Sequence, residues 1–373
     1  MKRCIYHFPE PIIEKPGIGS ALRPNRMLAA FRALGYEVDE ITGYSKERKK
    51  KIAAVRKRIA AGEKYDFVYS ESVNGPTMMA DKDNFPRHPF MDFSFFRYCK
   101  KNGIPIGLFY RDVHWKFSFY KDSVAFWKRC ILRPLLKYDL QMYRKLLNIL
   151  YIPSEEMAAY IPKCNYHLLP PGGVLHEDSI AKRCANVHKE KELRIFYVGS
   201  STGGVYDLKT FCQAVKETEN VYLTVCTPET QWRTASLDYA TVLCDRIKII
   251  HKASDELKPY FEEADIFSCC LTDTDYVRIA MPIKVFEATG YGVPILITDS
   301  VAAKRIVCSE KRGWAVPCSV RAFKEILEYL RDNPNEVEYA EKNAAIAAPL
   351  HTWEARAQQV ANDLTLTVRG ENK

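Results

Sequence analysis

The sequence has no long hydrophobic run, no low-complexity tract and no internal repeat. No stretch reaches the roughly 18 consecutive apolar residues that indicate a membrane-spanning helix. The short apolar run near the amino end is followed at once by Pro9 and Pro11, so it predicts a first strand and not a signal peptide. Because no targeting signal is visible, we expect a cytoplasmic protein.

Paired cysteine motifs are also missing, although the chain has 12 cysteines. No two of them form a CxxC pair, and none joins a histidine cluster with zinc spacing. Most lie in apolar segments, such as those around Cys226 and Cys269, where a free cysteine packs as a small hydrophobic residue. We therefore expect buried, unpaired thiols and no metal site.

Acidic residues are scarce in the first part of the chain. Up to Gly172 there are 30 lysines and arginines against 17 acids, a net charge of +13, while the remainder has 25 against 29, a net charge of −4. This asymmetry suggests an anionic partner for the first part. Basic amphipathic helices predicted near 45–62 and 122–147 can bind an anionic membrane surface, or they can be solvated charged faces. No recognised nucleic-acid motif accompanies them, so we expect no nucleic acid partner.

Short β-branched or aromatic strands alternate with amphipathic helices throughout the sequence, which predicts α/β architecture with parallel sheets. The predicted helices of the first part are 20–34, 45–62, 90–102 and 122–147. A second series of strands begins at Leu193, after a Pro/Gly-rich hinge at residues 170–173. We predict a domain at 1–172, a domain at 173–351, and a last helix within 352–373 that returns to the first domain.

The segment from Met281 to Thr298 is the most informative one. A proline-interrupted turn opens a helix with Lys284 in its first turn and Glu287 in the next, and a buried strand follows. Free amides at a helix start with a lysine beside them suit a diphosphate, and a carboxylate one turn later can accept both hydroxyls of a ribose. The alternative is an ordinary surface pair at positions i and i+3.

This segment resembles the donor-site helix of retaining GT-B glycosyltransferases of the large family-four type, in which a PxKxxE run precedes a G-x-P turn. Three further stretches lie at positions in the chain that fit the same family: YIPSEEMAAYI, IFYVGSSTGGVYDL and HTWEARAQQV. The resemblance implies two facing Rossmann-like domains with a cleft between them. The second domain would bind a nucleotide diphosphate sugar, the first would bind the acceptor, and the last helix would cross back to the first domain.

The resemblance also implies roles for particular residues. Lys284 would stabilise the leaving diphosphate, and Lys252 would add charge because the arginine and lysine common after the first donor-domain strand are missing. Many members carry an acid eight positions before Glu287, where this chain has Ile279, so a reduced or absent activity stays open. The expected donor-binding residues are Gly199, Ser200, Ser201, Thr202, Gly203, Lys252, Met281, Pro282, Ile283, Lys284 and Glu287.

Candidate residues of the first domain follow predicted strands, at the sheet edge where active sites of open α/β folds collect. We expect His114 to hold the sugar or assist proton transfer, with Asp112 orienting it. The expected acceptor-side residues are Gly17, Gly19, Arg23, Glu71 and Arg111. A structural histidine and a simple flexible loop are the alternative interpretations.

We thus predict a nucleotide-sugar-dependent glycosyltransferase with a retaining mechanism, which takes part in polysaccharide or glycoconjugate synthesis. No cofactor or metal is expected, because lysines and amides would carry the phosphates. A saccharide or lipid-linked acceptor, peripheral membrane binding and a homo-oligomer are compatible with the sequence. The alternatives are a sugar-nucleotide epimerase of the same fold and a non-catalytic glycosyltransferase partner subunit.

Overall fold

The computed structural model describes residues 2–13, 19–185, 191–202, 204–253 and 256–369. Contacts divide the chain into two units. The first comprises Met1–Pro170 and Trp353–Lys373, and the second comprises Pro171–Thr352. Within the described ranges, no helix is both long and apolar enough to cross a membrane.

The first unit is built on a parallel six-stranded sheet with the order β2-β1-β3-β4-β5-β6. The four central strands are almost completely buried, because their aromatic and β-branched runs pack under helices on both faces. Its strands are β1 (Arg3–Phe8), β2 (Glu37–Thr42), β3 (Phe67–Glu71), β4 (Ile106–Phe109), β5 (Ile149–Ile152) and β6 (Tyr166–Leu168). Its first helices are α1 (Gly19–Ala33), α2 (Ser45–Ala60), α3 (Met91–Lys101), α4 (Phe119–Ser123) and α5 (Phe126–Leu146).

The second unit repeats this design with the strand order β12-β11-β10-β7-β8-β9, again all parallel. Its strands are β7 (Leu193–Val198), β8 (Val221–Cys226), β9 (Ile247–Ile250), β10 (Ile266–Cys269), β11 (Ile295–Thr298) and β12 (Gly313–Val316). Its helices are α6 (Glu177–Ala185), α7 (Lys209–Glu217), α8 (Glu229–Tyr239), α9 (Lys258–Glu263), α10 (Ile283–Gly290), α11 (Lys304–Ser309), α12 (Val320–Asp332) and α13 (Pro334–Ala347).

The last helix, α14 (Trp353–Arg369), belongs to the first unit. Trp353, Ala357, Val360 and Leu364 are buried along one face of it. Their spacing of three to four residues is that of a helix face packed on a core. The chain therefore completes the first unit only after the second unit has been traversed.

The α/β fold class expected from the sequence is confirmed, with two parallel six-stranded sheets and their helices. One helix differs from its prediction, because the segment predicted as 122–147 forms α4, a break at Val124–Ala125 and then α5. The three-residue strand β6 was not predicted. Its residues are half-buried or exposed and give no hydrophobic signal.

Candidate active site

The order of strands in the second sheet places a topological switch point between β7 and β10. From β7 the chain continues through β8 to β9 on one side, while β10 leads through β11 to β12 on the other. Ligands of open parallel sheets bind outside the carboxyl ends of the strands at such a point. The segment after β7 begins with Gly199, and the segment after β10 leads to α10. These two segments contain most of the residues expected to bind the donor.

Helix α10 begins directly after Pro282, whose extended backbone (φ −64°, ψ 128°) ends the preceding turn. Met281, Pro282 and Ile283 are half-buried at this start. The Lys284 ammonium donates to the Glu287 carboxylate at 2.5 Å, and the two side chains are 25% and 19% exposed. The structure therefore shows both predicted features. A lysine lies beside a helix start, and this lysine forms an ion pair with the glutamate at position i+3.

The loop after β7 is held by bonds from its own side chains. Tyr197 donates its hydroxyl to the carbonyl of Ser200 at 2.6 Å. A Cβ at Gly199 would lie 2.7 Å from that hydroxyl, so a larger residue here would displace the tyrosine. The Ser200 hydroxyl donates to Gln231 at 2.8 Å, and Thr202 is half-buried beside it. The result is a fixed turn at the carboxyl end of β7.

Ser201 differs from its neighbours in this loop because it is buried. Its hydroxyl accepts from Thr227 at 3.0 Å, and its carbonyl accepts from Tyr239 at 3.1 Å. Ser201 thus anchors the loop to the interior of the second unit through Thr227 and Tyr239. Gly203, also expected at the donor site, lies outside the described residues.

Lys252 follows β9, at the same edge of the sheet. Its ammonium donates to Glu256 at 2.7 Å, and its carbonyl accepts from the Cys226 thiol at 3.6 Å. Burial raises the pKa of Cys226, whereas the bond to Lys252 and the charge of Lys284 lower it. Both lysines thus lie close enough to the end of β8 to act on it electrostatically, although each is paired with a glutamate.

The position eight residues before Glu287 does not face solvent. Ile279 is 5% exposed and ends a 3₁₀-helix, Val277–Ile279. Its neighbour Arg278 is exposed and lies 3.4 Å from Asp273. Among the residues that the structure describes, no group of three His, Cys, Asp or Glu side chains could hold a metal ion.

The first sheet has its own switch point, between β1 and β3. Arg23, from the helix after β1, lies 3.5 Å from the carboxylate of Glu71 at the end of β3. Both are interior residues, 3% and 0% exposed, and the guanidinium lies 3.4 Å from the Phe109 ring centroid. Burial raises the pKa of Glu71, while Arg23 and Arg111 oppose the rise. These two expected acceptor-side residues are therefore an internal pair at the switch point.

The other candidates of the first unit follow β4. His114 Nδ1 lies 3.8 Å from the Asp112 carboxylate, too far for a hydrogen bond. Burial lowers the pKa of His114 and Asp112 opposes this, so the neutral imidazole is favoured at pH 7. The amide of Arg111 donates to Ser72 at 3.0 Å, which ties the ends of β3 and β4 together. Gly19 is the first residue of α1, and Gly17 lies outside the described residues.

Three supporting residues were not found from the sequence: Tyr197, Thr227 and Gln231. They hold the loop after β7 through contacts to residues 26 to 31 positions away or across a tight turn. Tyr197 alone carried a signal, since a tyrosine two residues before a glycine can close a turn over it. The other two depend on strand pairing that no local pattern reveals.

Comparisons with known proteins agree with this architecture. Residues 178–346 match the model of the family described as glycosyl transferases group 1. The matched residues cover most of the second unit. The resemblance to GT-B glycosyltransferases expected from the sequence is thereby confirmed. None of the curated proteins matches the chain.

Solved structures show the same fold over the whole chain. Sucrose-phosphate synthase (tll1590) from Thermosynechococcus elongatus is 15% identical with a TM-score of 0.65, covering 99% of this chain and 100% of its own. A glycosyltransferase from Rickettsia africae ESF-5 is 11% identical with a TM-score of 0.62, covering 100% of both chains. Anabaena Alr3699/HepE in complex with UDP-glucose is 13% identical with a TM-score of 0.61, covering 97% of this chain and 99% of its own. The GT-B fold class is confirmed.

Proposed function

We propose that this chain transfers a sugar from a nucleotide diphosphate sugar to a saccharide or lipid-linked acceptor, with retention at the anomeric carbon, in polysaccharide or glycoconjugate synthesis. The observation that carries the proposal is the second switch point. There the loop after β7 and the start of α10 lie within the residues that match the group 1 glycosyl transferase family. One solved structure of the same fold contains UDP-glucose.

The donor binds at the carboxyl edge of the second sheet, near Lys284 and Lys252. The diphosphate takes the amides at the start of α10 and the ammonium of Lys284, and Lys252 adds charge from the end of β9. Glu287 accepts the ribose hydroxyls. To do this, the ligand separates Lys284 from Glu287, so each side chain exchanges an internal partner for a ligand group. The loop from Gly199 to Thr202, at the end of β7, lies on the other side of the phosphates.

Catalysis rests on stabilising the charge that develops on the leaving diphosphate. Lys284 and the helix start carry this role, so neither metal nor cofactor is required. In the first unit the neutral imidazole of His114 holds the sugar or takes a proton, and Asp112 orients it once the two approach. Arg111 contacts the acceptor, while Arg23 and Glu71 fix the sheet edge from within.

We further propose that the protein is cytoplasmic and associates peripherally with an anionic membrane surface. The excess of basic residues in the first part of the chain supports this. Such an association fits a lipid-linked acceptor. A homo-oligomer is compatible with the sequence.

A panel of UDP-, GDP- and dTDP-sugars tests the proposed donor. We expect one or more of them to raise the melting temperature, because a ligand that binds only the folded state stabilises it. The same sugar should be hydrolysed slowly when no acceptor is present. Release of free nucleotide together with an altered sugar would indicate an epimerase. Absence of any thermal shift would indicate a non-catalytic subunit, for which the buried Ile279 would be the structural reason.

A further inference from the structure

The amino-terminal half of α5 has no fully buried side chain, although Arg129 and Arg133 donate to the carbonyls of Lys121 and Trp115. None of its first ten residues, Phe126–Leu135, is buried, and the buried residues of this helix begin at Leu136. We call these ten residues the tip of α5. Phe126, Trp127 and Ile131 expose 73%, 61% and 50% of their surface. Large apolar side chains that are exposed together at a helix end mark a candidate interaction surface.

Contacts with α3 show why the tip is unpacked. Phe93 of α3 packs on Tyr138 of α5 with ring centroids 5.7 Å apart, and Lys100 donates to the carbonyl of Lys145 at 2.8 Å. The two helices therefore run in the same direction, and α3 starts only opposite the middle of α5. The tip extends about 15 Å beyond this contact, at 1.5 Å per residue.

The chemistry of the tip is that of a membrane-interface anchor. The tip has three basic residues, Lys128, Arg129 and Arg133, and no acid. Lys128 lies over the Trp127 ring at 5.4 Å, and Arg129 lies over the Phe126 ring at 5.7 Å. Aromatic rings with adjacent cations suit the boundary between lipid headgroups and acyl chains. Trp127 and Ile131 share one helix face, at i and i+4.

We propose that the tip of α5 inserts its exposed aromatic and aliphatic side chains into the interface of an anionic bilayer. The inference rests on the proposed peripheral association and assigns it to one surface. Positive charge attracts the tip to anionic lipid, and the apolar side chains then bury against the acyl chains.

The other basic helix, α2, is built differently. Its apolar residues Ile52, Val55 and Ile59 are buried in the first unit. Several of its basic side chains are engaged; for example, Lys51 donates to the Thr42 carbonyl at 2.9 Å and Arg58 pairs with Asp39 at 2.5 Å. This helix can therefore attract a membrane at long range, but it offers no large apolar group for insertion.

Vesicles of phosphatidylcholine and of equal parts phosphatidylcholine and phosphatidylglycerol test the proposal with the full chain. Trp127 is the one exposed tryptophan of the five. Brominated lipid in the anionic vesicles should therefore quench the wild-type fluorescence, and Trp127→Phe should remove this quenching. Phe126→Ser with Ile131→Ser should weaken sedimentation with anionic vesicles at least tenfold at about 0.15 M salt, where charges more than about 8 Å apart are screened.

Two matched variants serve as controls. Leu237→Ser with Ile346→Ser removes two exposed aliphatic side chains from the second unit, 86% and 72% exposed, and should leave vesicle binding unchanged. Lys49→Glu with Lys50→Glu should weaken binding at low salt and change it less than threefold at about 0.15 M. Thermal unfolding and nucleotide binding of all variants should equal those of the wild type.

Two results would overturn the proposal. The first is undiminished vesicle binding by Phe126→Ser with Ile131→Ser. The second is concentration-dependent self-association of the wild type that the same double substitution abolishes, since the tip would then be an interface between copies of the chain. If quenching is observed but no nucleotide sugar binds, the proposed transfer fails while the membrane surface stands.

Discussion

Lys284 and Glu287 form an ion pair across one turn of α10, with 2.5 Å between the ammonium and the carboxylate. Partly exposed ion pairs of this kind contribute about 0–1 kcal/mol. A diphosphate carries more negative charge than one carboxylate, and it also accepts hydrogen bonds from the amides at the helix start. A nucleotide can therefore replace the internal pair at small cost, and the pair keeps both side chains oriented at the start of the helix until it does.

Glu287→Ala tests the ribose contact. We expect nucleotide binding to weaken at least tenfold, about 1.4 kcal/mol, because the hydroxyls lose their acceptor. Isothermal titration with the nucleotide identified by the panel measures this. Glu229→Ala is the control, since it removes an exposed ion pair with Arg233 on α8 of the same unit. Equal affinity of folded Glu287→Ala and wild type would contradict the assignment.

Lys284→Met tests the leaving-group contact. Stabilisation of the departing diphosphate acts mainly in the transition state, so kcat should fall by about two to three orders of magnitude. Binding of the uncharged nucleoside should change little. Lys248→Met, an exposed lysine of β9, is the control for loss of one positive charge. A kcat within twofold of the wild type would move the role to Lys252 or to the loop after β7.

Asp139 of α5 predicts a pH dependence of stability. Burial raises its pKa to about 7, although the Thr77 amide donates to it at 2.7 Å and opposes the rise. The ordinary aspartate pKa is about 4. Between about pH 4 and pH 7 the folded state thus keeps a proton that the unfolded state releases, so the free energy of unfolding should fall as the pH rises. Urea unfolding should show this slope, and Asp139→Asn should flatten it; an equal slope in both proteins would contradict it.

At the residue scale, the sequence could predict only those contacts that are local in the chain. The spacing from Lys284 to Glu287 is set by the chain itself, so one helix turn brings the two side chains together in any fold. The contact of Arg23 with Glu71 joins positions 48 residues apart and depends on the pairing of β1 with β3. The sequence placed both residues at a sheet edge, but nothing in it shows that they bury each other.

At the scale of elements, α10 is packed against the segment that enters the second unit. A Cβ on Gly173 would lie 2.2 Å from the carbonyl oxygen of Phe286, and one on Gly290 would lie 2.0 Å from that of Val174. The His176 amide donates to the Gly290 carbonyl at 2.9 Å. Glycine is thus required on both sides of this contact. The position of the proposed donor helix is therefore fixed by direct contact between its backbone and that of residues 173–176.

Gly290→Ala should therefore disturb α10 as a whole. Because the clash is with backbone, the helix must shift, and we expect both a lower melting temperature and weaker nucleotide binding. Thermal scans with and without nucleotide measure both effects. Gly75→Ala is the control, since its Cβ would meet no atom within 4 Å and its backbone needs no positive φ. If Gly290→Ala matches Gly75→Ala in both scans, the close packing of α10 does not hold in solution.

The elements predicted most accurately are the buried strands. Parallel strands covered on both faces need continuous apolar runs, and these are visible in the sequence. Two details were missed for physical reasons. Val124 and Ala125 interrupt the predicted helix 122–147 without a proline or glycine to mark the break. Strand β6 has only edge contacts with β5, so its residues are not selected for burial.

At the scale of the molecule, the first unit is completed by residues that follow the whole second unit. Leu364 of α14 packs where Gly107 of β4 leaves room, because a Cβ there would lie 3.0 Å from the leucine. Asp363 bonds His167 at 2.9 Å, and Gln359 donates to the carbonyl of Leu168 at 2.8 Å. The last helix thus covers the sheet from β4 to β6.

Removal of residues 353–373 should therefore destabilise the first unit and spare the second. The deletion takes Ala357, Val360 and Leu364 out of a core in which each is fully buried, and truncation of one buried leucine alone costs about 2–5 kcal/mol. Hydrogen exchange followed by mass spectrometry should show lost protection in β4 and β5. Protection of β7 and β10 should persist, and so should nucleotide binding at α10. If the second sheet loses protection first, α14 stabilises the chain by a route other than the core of the first unit. If neither sheet changes, the buried face of α14 contributes little to folding.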